Sequence, residues 1–258
     1  TGAFVISGDQ VVGLYRWPNQ EKSFIRLGWN VTWTGAASID TVVVLTTDAL
    51  VVLDGAAPAG PAALADCPGS FGTGGLAVAD GRAYTARSDG RLVAVETREP
   101  FACHVSGEAL LPSGAQVVAA SEGRLYVGRA GRPYLGVLDV ADPAAPVLLR
   151  TERLWKVHDA AVTDGLLWLA TGATGVVALE QPDGGAPPAR ELARDWAHAV
   201  GIDRDGDLVA VAAGSDGLRL LSIADRRQPT ELGTFARLHA ADVALVGPYA
   251  YVACGLQG

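Results

Sequence analysis

Short apolar runs recur along this chain at nearly constant spacing, each bounded by glycine, proline or aspartate. Aligning AFVISGDQ, VVVLTTDA, AYTARSDG, LYVGRAGR, LWLATGAT, LVAVAAGS and AYVACGLQ brings Phe4, Val43, Tyr84, Tyr126, Trp168, Val209 and Tyr251 into register. The spacings are 39, 41, 42, 42, 41 and 42 residues. Short apolar runs between turn signals mark strands rather than helices. Most runs follow a two-residue turn: Thr1-Gly2, Asp80-Gly81, Glu122-Gly123, Asp164-Gly165 and Asp205-Gly206. Such dipeptides supply the positive φ angles of a tight hairpin, so each predicts two antiparallel strands. The fourth repeat shows a whole unit: QVVAA, RLYVG, YLGVLDV and PVLLRTERL.

A repeat of about 42 residues with four short strands and no helical periodicity is the unit of a propeller blade. The longest helix-like stretch, ARELARDWAHAV at 189–200, falls where the register calls for an outer strand and then an inner one. A β-sandwich has similar turn spacing but does not explain six successive intervals so close to 41. Residues 1–258 therefore read as a single all-β domain, a β-propeller of four-stranded blades. Seven copies of the second strand favour seven blades. The alternative is six, with residues 239–258 joining the N-terminal strands in one blade, since closure removes exposed sheet edges. Both end repeats are incomplete and no methionine is present, even at position 1, which predicts flanking strands or domains trimmed at both ends.

Composition acts mainly by exclusion. With 20 basic and 28 acidic residues, a net charge of −8 and no basic run, the chain is not suited to a nucleic-acid partner. No window approaches the roughly 18 uninterrupted apolar residues of a transmembrane helix. The three cysteines, Cys67, Cys103 and Cys254, are too widely spaced for a zinc motif. Cys67 and Cys103 lie near the ends of successive units, so a bridge between them and a pair of buried thiols are both open.

The segments YLGVLDVADPAAPVLLR (134–150), GLRLLSIADRRQPTELGTF (217–235) and ADVALVGPYAYVACG (241–255) resemble the LVIVD-repeat family of bacterial β-propellers. In that pattern an apolar third strand ends in an Asp-Pro-type turn, and a later proline starts the outer strand. Asp142, Pro143 and Pro146 keep it; Asp225 and Pro229 keep it in part, with Arg226 in place of the first proline. The resemblance covers residues 115–255. It implies a scaffold that is secreted, periplasmic or at the cell surface, with no family-wide catalytic residues, and so leaves open whether the chain is an enzyme.

Three of the four histidines, His158, His198 and His239, stand 10, 11 and 12 residues before their second-strand markers. In a propeller the first strands line the central channel, so these histidines are expected at one channel mouth. Trp33, Gly74 and Gly114 hold the slot in earlier repeats. Three imidazoles can hold one transition metal ion, Zn, Cu or Fe, with a position left open for water or substrate. Asp159 and Asp242 would orient the rings. One solvated histidine copied with its repeat would give the same pattern. Trp33, Trp155 and Trp196 fall near the same slots and suit stacking on a sugar, peptide or aromatic ligand, or wedging between blades. DRDGDL at 203–208 lacks a bidentate glutamate and reads as a turn rather than a calcium loop. His104 falls on an outer strand.

Two functions compete. The first is a scaffold that binds a protein or glycan partner at the channel mouth. The second is a metal-dependent enzyme or metal-binding protein centred on His158, His198 and His239.

Overall fold

A computed structural model describes the chain apart from residues 1, 8–10, 17–20, 27–30, 37–40, 47, 55–61, 70–74, 99–102, 130, 154–155, 164, 181–197, 226–227, 247–248 and 255–258. Side chains are described from residue 48 onward, except for those residues and 53–54, 62–63, 65, 103–109, 118, 163, 180 and 246. Among the described residues the structure is all β, with no helix.

The strands form sheets in which sequence neighbours are spatial neighbours. Sheet 1 holds β1 (Gly2–Ser7), β2 (Val11–Arg16) and β3 (Glu21–Arg26). Sheet 2 holds β4 (Val31–Ala36), β5 (Thr41–Thr46), β6 (Ala49–Asp54) and β7 (Ala62–Pro68). Sheet 3 holds β8 (Ala77–Ala79), β9 (Arg82–Ala86), β10 (Arg91–Glu96) and β11 (Cys103–Leu110). Sheet 4 holds β12 (Ala115–Ser121), β13 (Arg124–Arg129), β14 (Leu135–Asp139) and β15 (Val147–Glu152). Sheet 5 holds β16 (Asp159–Thr163), β17 (Leu166–Ala170) and β18 (Val176–Glu180). Sheet 6 holds β19 (Gly201–Asp205), β20 (Leu208–Ala212), β21 (Leu218–Ser222) and β22 (Thr230–Phe235). Sheet 7 holds β23 (Asp242–Val246) and β24 (Tyr249–Ala253). All seven aligned markers fall on strands. The stretch at 189–197 lies outside the described residues.

The chain divides into two compact units. The first comprises Thr1–Arg129 and Gly136–Thr151, the second Ala130–Leu135 and Glu152–Gly258. Within the first, β9 serves two interfaces because successive side chains on a strand point to opposite faces. Tyr84 and Ala86 pack with Leu92, Val117, Leu125, Val127 and Leu138 towards sheet 4. Ala83 packs with Val93, Val95, Leu50, Val52 and Cys67 towards sheet 2. Burial on both faces is why these strands read as unbroken apolar runs rather than as alternating ones. Each fully buried Leu or Val stabilises by roughly 1.5–3 kcal/mol. The outer strand β15 differs, with Val147, Leu148 and Leu149 exposed.

The second unit repeats the arrangement. Trp168, Val176, Ile202, Val209, Val211 and Leu221 fill the space between sheets 5 and 6. Ala210, Ala212, Leu218, Val243 and Leu245 fill that between sheets 6 and 7.

Two of the expected turns form as read and the one before β20 is shifted, while Gly2 falls within β1 and Thr1 and Asp164 lie outside the described residues. Asp80 and Gly81 have φ of 54° and 78°, and Glu122 and Gly123 have 51° and 69°, both residues positive as a type I′ turn requires. Between β19 and β20, however, Asp205 faces Leu208, so the turn residues are Gly206 and Asp207. Of these only Gly206 has positive φ, at 57°, which places glycine first as in a II′ turn. The expected Asp205-Gly206 turn is thus one residue early. Ala210, facing Asp203, therefore takes the register position of Trp168 (facing Ala161) and Tyr251 (facing Ala244), in place of Val209.

Candidate functional site

The histidines lie on lead-in segments to the first strands of the second unit. The lead-ins of His198 and His239 are each tied to a glycine-cornered loop between a second and a third strand. In Thr171-Gly172-Ala173-Thr174-Gly175, Gly172 and Gly175 have positive φ, and the Gly175 N–H donates to the Gly172 carbonyl at 2.9 Å. In Ala213-Gly214-Ser215-Asp216-Gly217, the corresponding bond from Gly217 to Gly214 is 3.1 Å. Both loops also hold the lead-in of the following sheet. The Gly172 N–H donates to Ala199 O at 2.8 Å, and Gly214 and Ala240 exchange two bonds of 2.9 Å.

These bonds show which histidines share a slot. His198 precedes Ala199 and His239 precedes Ala240, so the two are equivalent. His158 is not. Its N–H donates to Ala170 O at 2.9 Å, as Val200 donates to Ala212 O and Ala241 to Ala253 O. It therefore stands two positions further along, and Lys156 occupies the slot of His198 and His239. Counting back from markers missed this because the sixth marker was one residue out of register.

All three histidines are exposed residues. The His158 ring nevertheless lies against Gly172, where an added Cβ would come within 2.9 Å of Nε2. That burial, and then the charge of Lys156, holds its imidazolium below the ordinary histidine range. His198 has φ of 74°, uncommon for a residue with a side chain. Its N–H donates to Gly172 O at 3.0 Å, and its Cβ sits over Gly214. So the first two histidines each lie over the glycine corner of their own sheet. Among the described residues, no group of three or more His, Cys, Asp or Glu side chains could hold a metal ion. Trp33 lies within β4, opposite Leu45, with its side chain outside the described residues, as are Trp155 and Trp196 altogether. His104 falls on the outer strand β11, as expected.

Asp159 and Asp242 do not orient imidazoles. The Ala160 and Ile202 N–H groups donate to Asp159 Oδ1 and Oδ2, both at 2.8 Å. The Val243 N–H donates to Asp242 Oδ1 at 2.8 Å, and that oxygen lies against Gly201. These side chains turn towards the neighbouring first strand, because a strand sends adjacent residues to opposite sides. Asp203, read from sequence only as part of a turn, does the same: Arg204 and Leu245 N–H donate to its two oxygens at 2.7 Å each. Arg204 reaches back, its Nε–H donating to Val162 O at 2.8 Å. In each of these bridges acceptor and donor lie 42 or 43 residues apart, about one repeat.

Burial of the carboxyl group, opposed by its two N–H donors and aided by Asp242 and Asp203, pushes the Asp159 pKa up to about 7. Burial also raises those of Asp203 and Asp242.

In the first unit Cys67 is buried and disulfide-bonded, while Cys254 in the second is free. The chain's remaining cysteine, Cys103 on β11, has its side chain outside the described residues.

Comparison with solved structures places this fold among the β-propellers. A component of the mitotic checkpoint complex matches with a TM-score of 0.75 over 97% of this chain and 82% of that one, at 13% identity. Apo AztD from Citrobacter koseri matches at 0.65 over 95% and 72%, at 13% identity. The β-propeller domain of Cps50 (Swd1) from Myceliophteria thermophila matches at 0.65 over 93% and 85%, at 11% identity. Identities this low speak for the fold alone. No curated protein matches. The LVIVD repeat matches at residues 113–151 and 239–257, so the chain carries LVIVD repeats, in keeping with the resemblance read from sequence.

Proposed function

We propose that this protein is an exported, non-catalytic scaffold whose second unit presents a fixed loop face to a protein partner. The carrying observation is the hydrogen-bonded lattice of Gly172, His198, Ala199, Gly214 and Ala240, which holds short loops and exposed histidines in place before any partner arrives. Preorganisation of this kind lowers the ordering cost of association. A solved neighbour that is part of a multiprotein complex is in keeping with this use of the fold. The bonded state of Cys67 supports export, since disulfides persist in oxidising compartments. A peptide segment suits the backbone and imidazole hydrogen-bonding groups of this face. Seven copies of the aligned marker in the sequence favour seven blades over six.

The chain has two lysines, Lys22 and Lys156, and Lys156 is exposed beside His158 on this face. A membrane-impermeant, amine-reactive cross-linker applied to intact source cells should join the protein to its partner through Lys156. Lys156→Arg should abolish that adduct. Adducts formed through Lys22 alone, unchanged in Lys156→Arg, would place the partner elsewhere.

A further inference from the structure

We propose that Asp159, Asp203 and Asp242 form a proton-controlled joint between the three sheets of the second unit, closed in mildly acidic medium and loosened above neutrality. The three side chains come from β16, β19 and β23, the first strands of successive sheets. Two of them cross between sheets: Asp159 accepts from Ile202, and Asp203 accepts from Leu245. Asp242 closes the row with its carboxyl group against Gly201.

The charged groups around this row are few. β19 brings Asp203, Arg204 and Asp205, and β23 brings Asp242. β17 brings none, while Lys156 and His158 precede β16 on its own chain segment. The one cation on the three first strands, Arg204, directs its Nε–H to Val162 O. Asp159 and Asp203 are half-buried and Asp242 is exposed, so on ionisation the like charges of Asp203 and Asp242 add to the desolvation of Asp159 in disfavouring its charged form. A proton on one relieves the repulsion while its oxygens stay beside their backbone donors.

The direction follows from linkage. In the unfolded chain these carboxyls ionise near the ordinary value of about 3.9. Folded Asp159 keeps its proton up to about 7. Between those values opening the joint releases a proton, so raising the pH favours opening and lowering it favours closure.

The test compares thermal unfolding and amide exchange of the full chain at pH 5 and pH 8. Wild type should melt at a lower temperature at pH 8. Exchange at the Ile202 and Leu245 amides, corrected for intrinsic chemistry, should quicken by about tenfold or more. Asp159→Asn should remove most of this dependence. Asp142→Asn, which alters an exposed carboxylate serving the Ala144 N–H in the first unit, should leave it intact. Equal pH slopes in wild type and Asp159→Asn would overturn the proposal. So would a wild-type melting temperature that is flat or rises from pH 5 to 8. Should Asp159→Asn not fold, Asp242→Asn and the wild-type exchange profile test the same joint, and pH-independent exchange at Ile202 and Leu245 overturns it.

Discussion

One register position separates the two units. It lies two residues before the first-strand residue that faces the second-strand aromatic, and in sheet 3 it is Gly75, since Ala77 faces Tyr84. In sheet 5 it is Asp159, since Ala161 faces Trp168. A Cβ on Gly75 would collide with the Val117 carbonyl oxygen, so sheet 3 meets sheet 4 backbone to backbone. Asp159 instead meets sheet 6 through its carboxyl group and the Ile202 N–H. Gly201 stands at the same position in sheet 6 and combines the two: a Cβ there would come 2.7 Å from Asp242 Oδ1 and 3.0 Å from its Cα. Backbone contact buries no charge and is indifferent to pH. The carboxyl bridge costs desolvation that its hydrogen bonds only partly offset, which makes it titratable. The same repeat thus joins its sheets by steric closeness in one unit and by polar bridging in the other.

The largest test of this contrast is Gly75→Ala. The added methyl group meets backbone that cannot move aside, at a φ of 64° that alanine rarely adopts. We expect a loss of about 3–5 kcal/mol in urea unfolding, a large part of the stability of an ordinary domain. Gly201→Ala should cost less, about 1–3 kcal/mol, because its nearest obstacle is the end of a side chain. In that background Asp242→Ala should restore part of the loss. Equal costs at Gly75 and Gly201, with no recovery, would break the distinction between the two kinds of joint.

The sheets themselves were legible in the sequence because apolar runs, glycine-bearing turns and a constant period all point to one architecture. Asp80-Gly81 and Glu122-Gly123 show the turn chemistry directly. The site was less legible. A turn that moved from Asp205-Gly206 to Gly206-Asp207 shifted one marker by a residue, and with a period of two such a slip sends a side chain to the opposite face. His158 looked equivalent to His198 and His239 for that reason. The bridging aspartates were hidden for another: what distinguishes them is a backbone N–H on the next sheet, and sequence carries no mark of an acceptor's partner.

A middle-sized effect is expected at Asp203→Ala, which leaves the Arg204 and Leu245 N–H groups without their acceptor. Unfolding should show a loss of about 1–3 kcal/mol. Because folding raises the Asp203 pKa, its contribution is greater at low pH and declines as pH rises. The penalty should therefore be larger at pH 5 than at pH 8. A penalty that grows with pH would mean that the ionised form is the one favoured by folding.

The smallest effect sharpens the comparison from the side of the first unit. That unit has a polar link of its own, from the Gly123 N–H to Asp80 Oδ2 at 2.9 Å, joining the turn of sheet 3 to that of sheet 4 across 43 residues. It is exposed, so water competes for both partners when it breaks. Asp80→Gly removes the carboxylate while suiting the backbone φ of 54°. We expect a change within about 0.5 kcal/mol by urea unfolding. If Asp80→Gly costs as much as Asp203→Ala, the bond itself rather than its burial sets the strength of a polar link, and the sheets within each unit are held together more alike than Gly75 and Asp159 suggest.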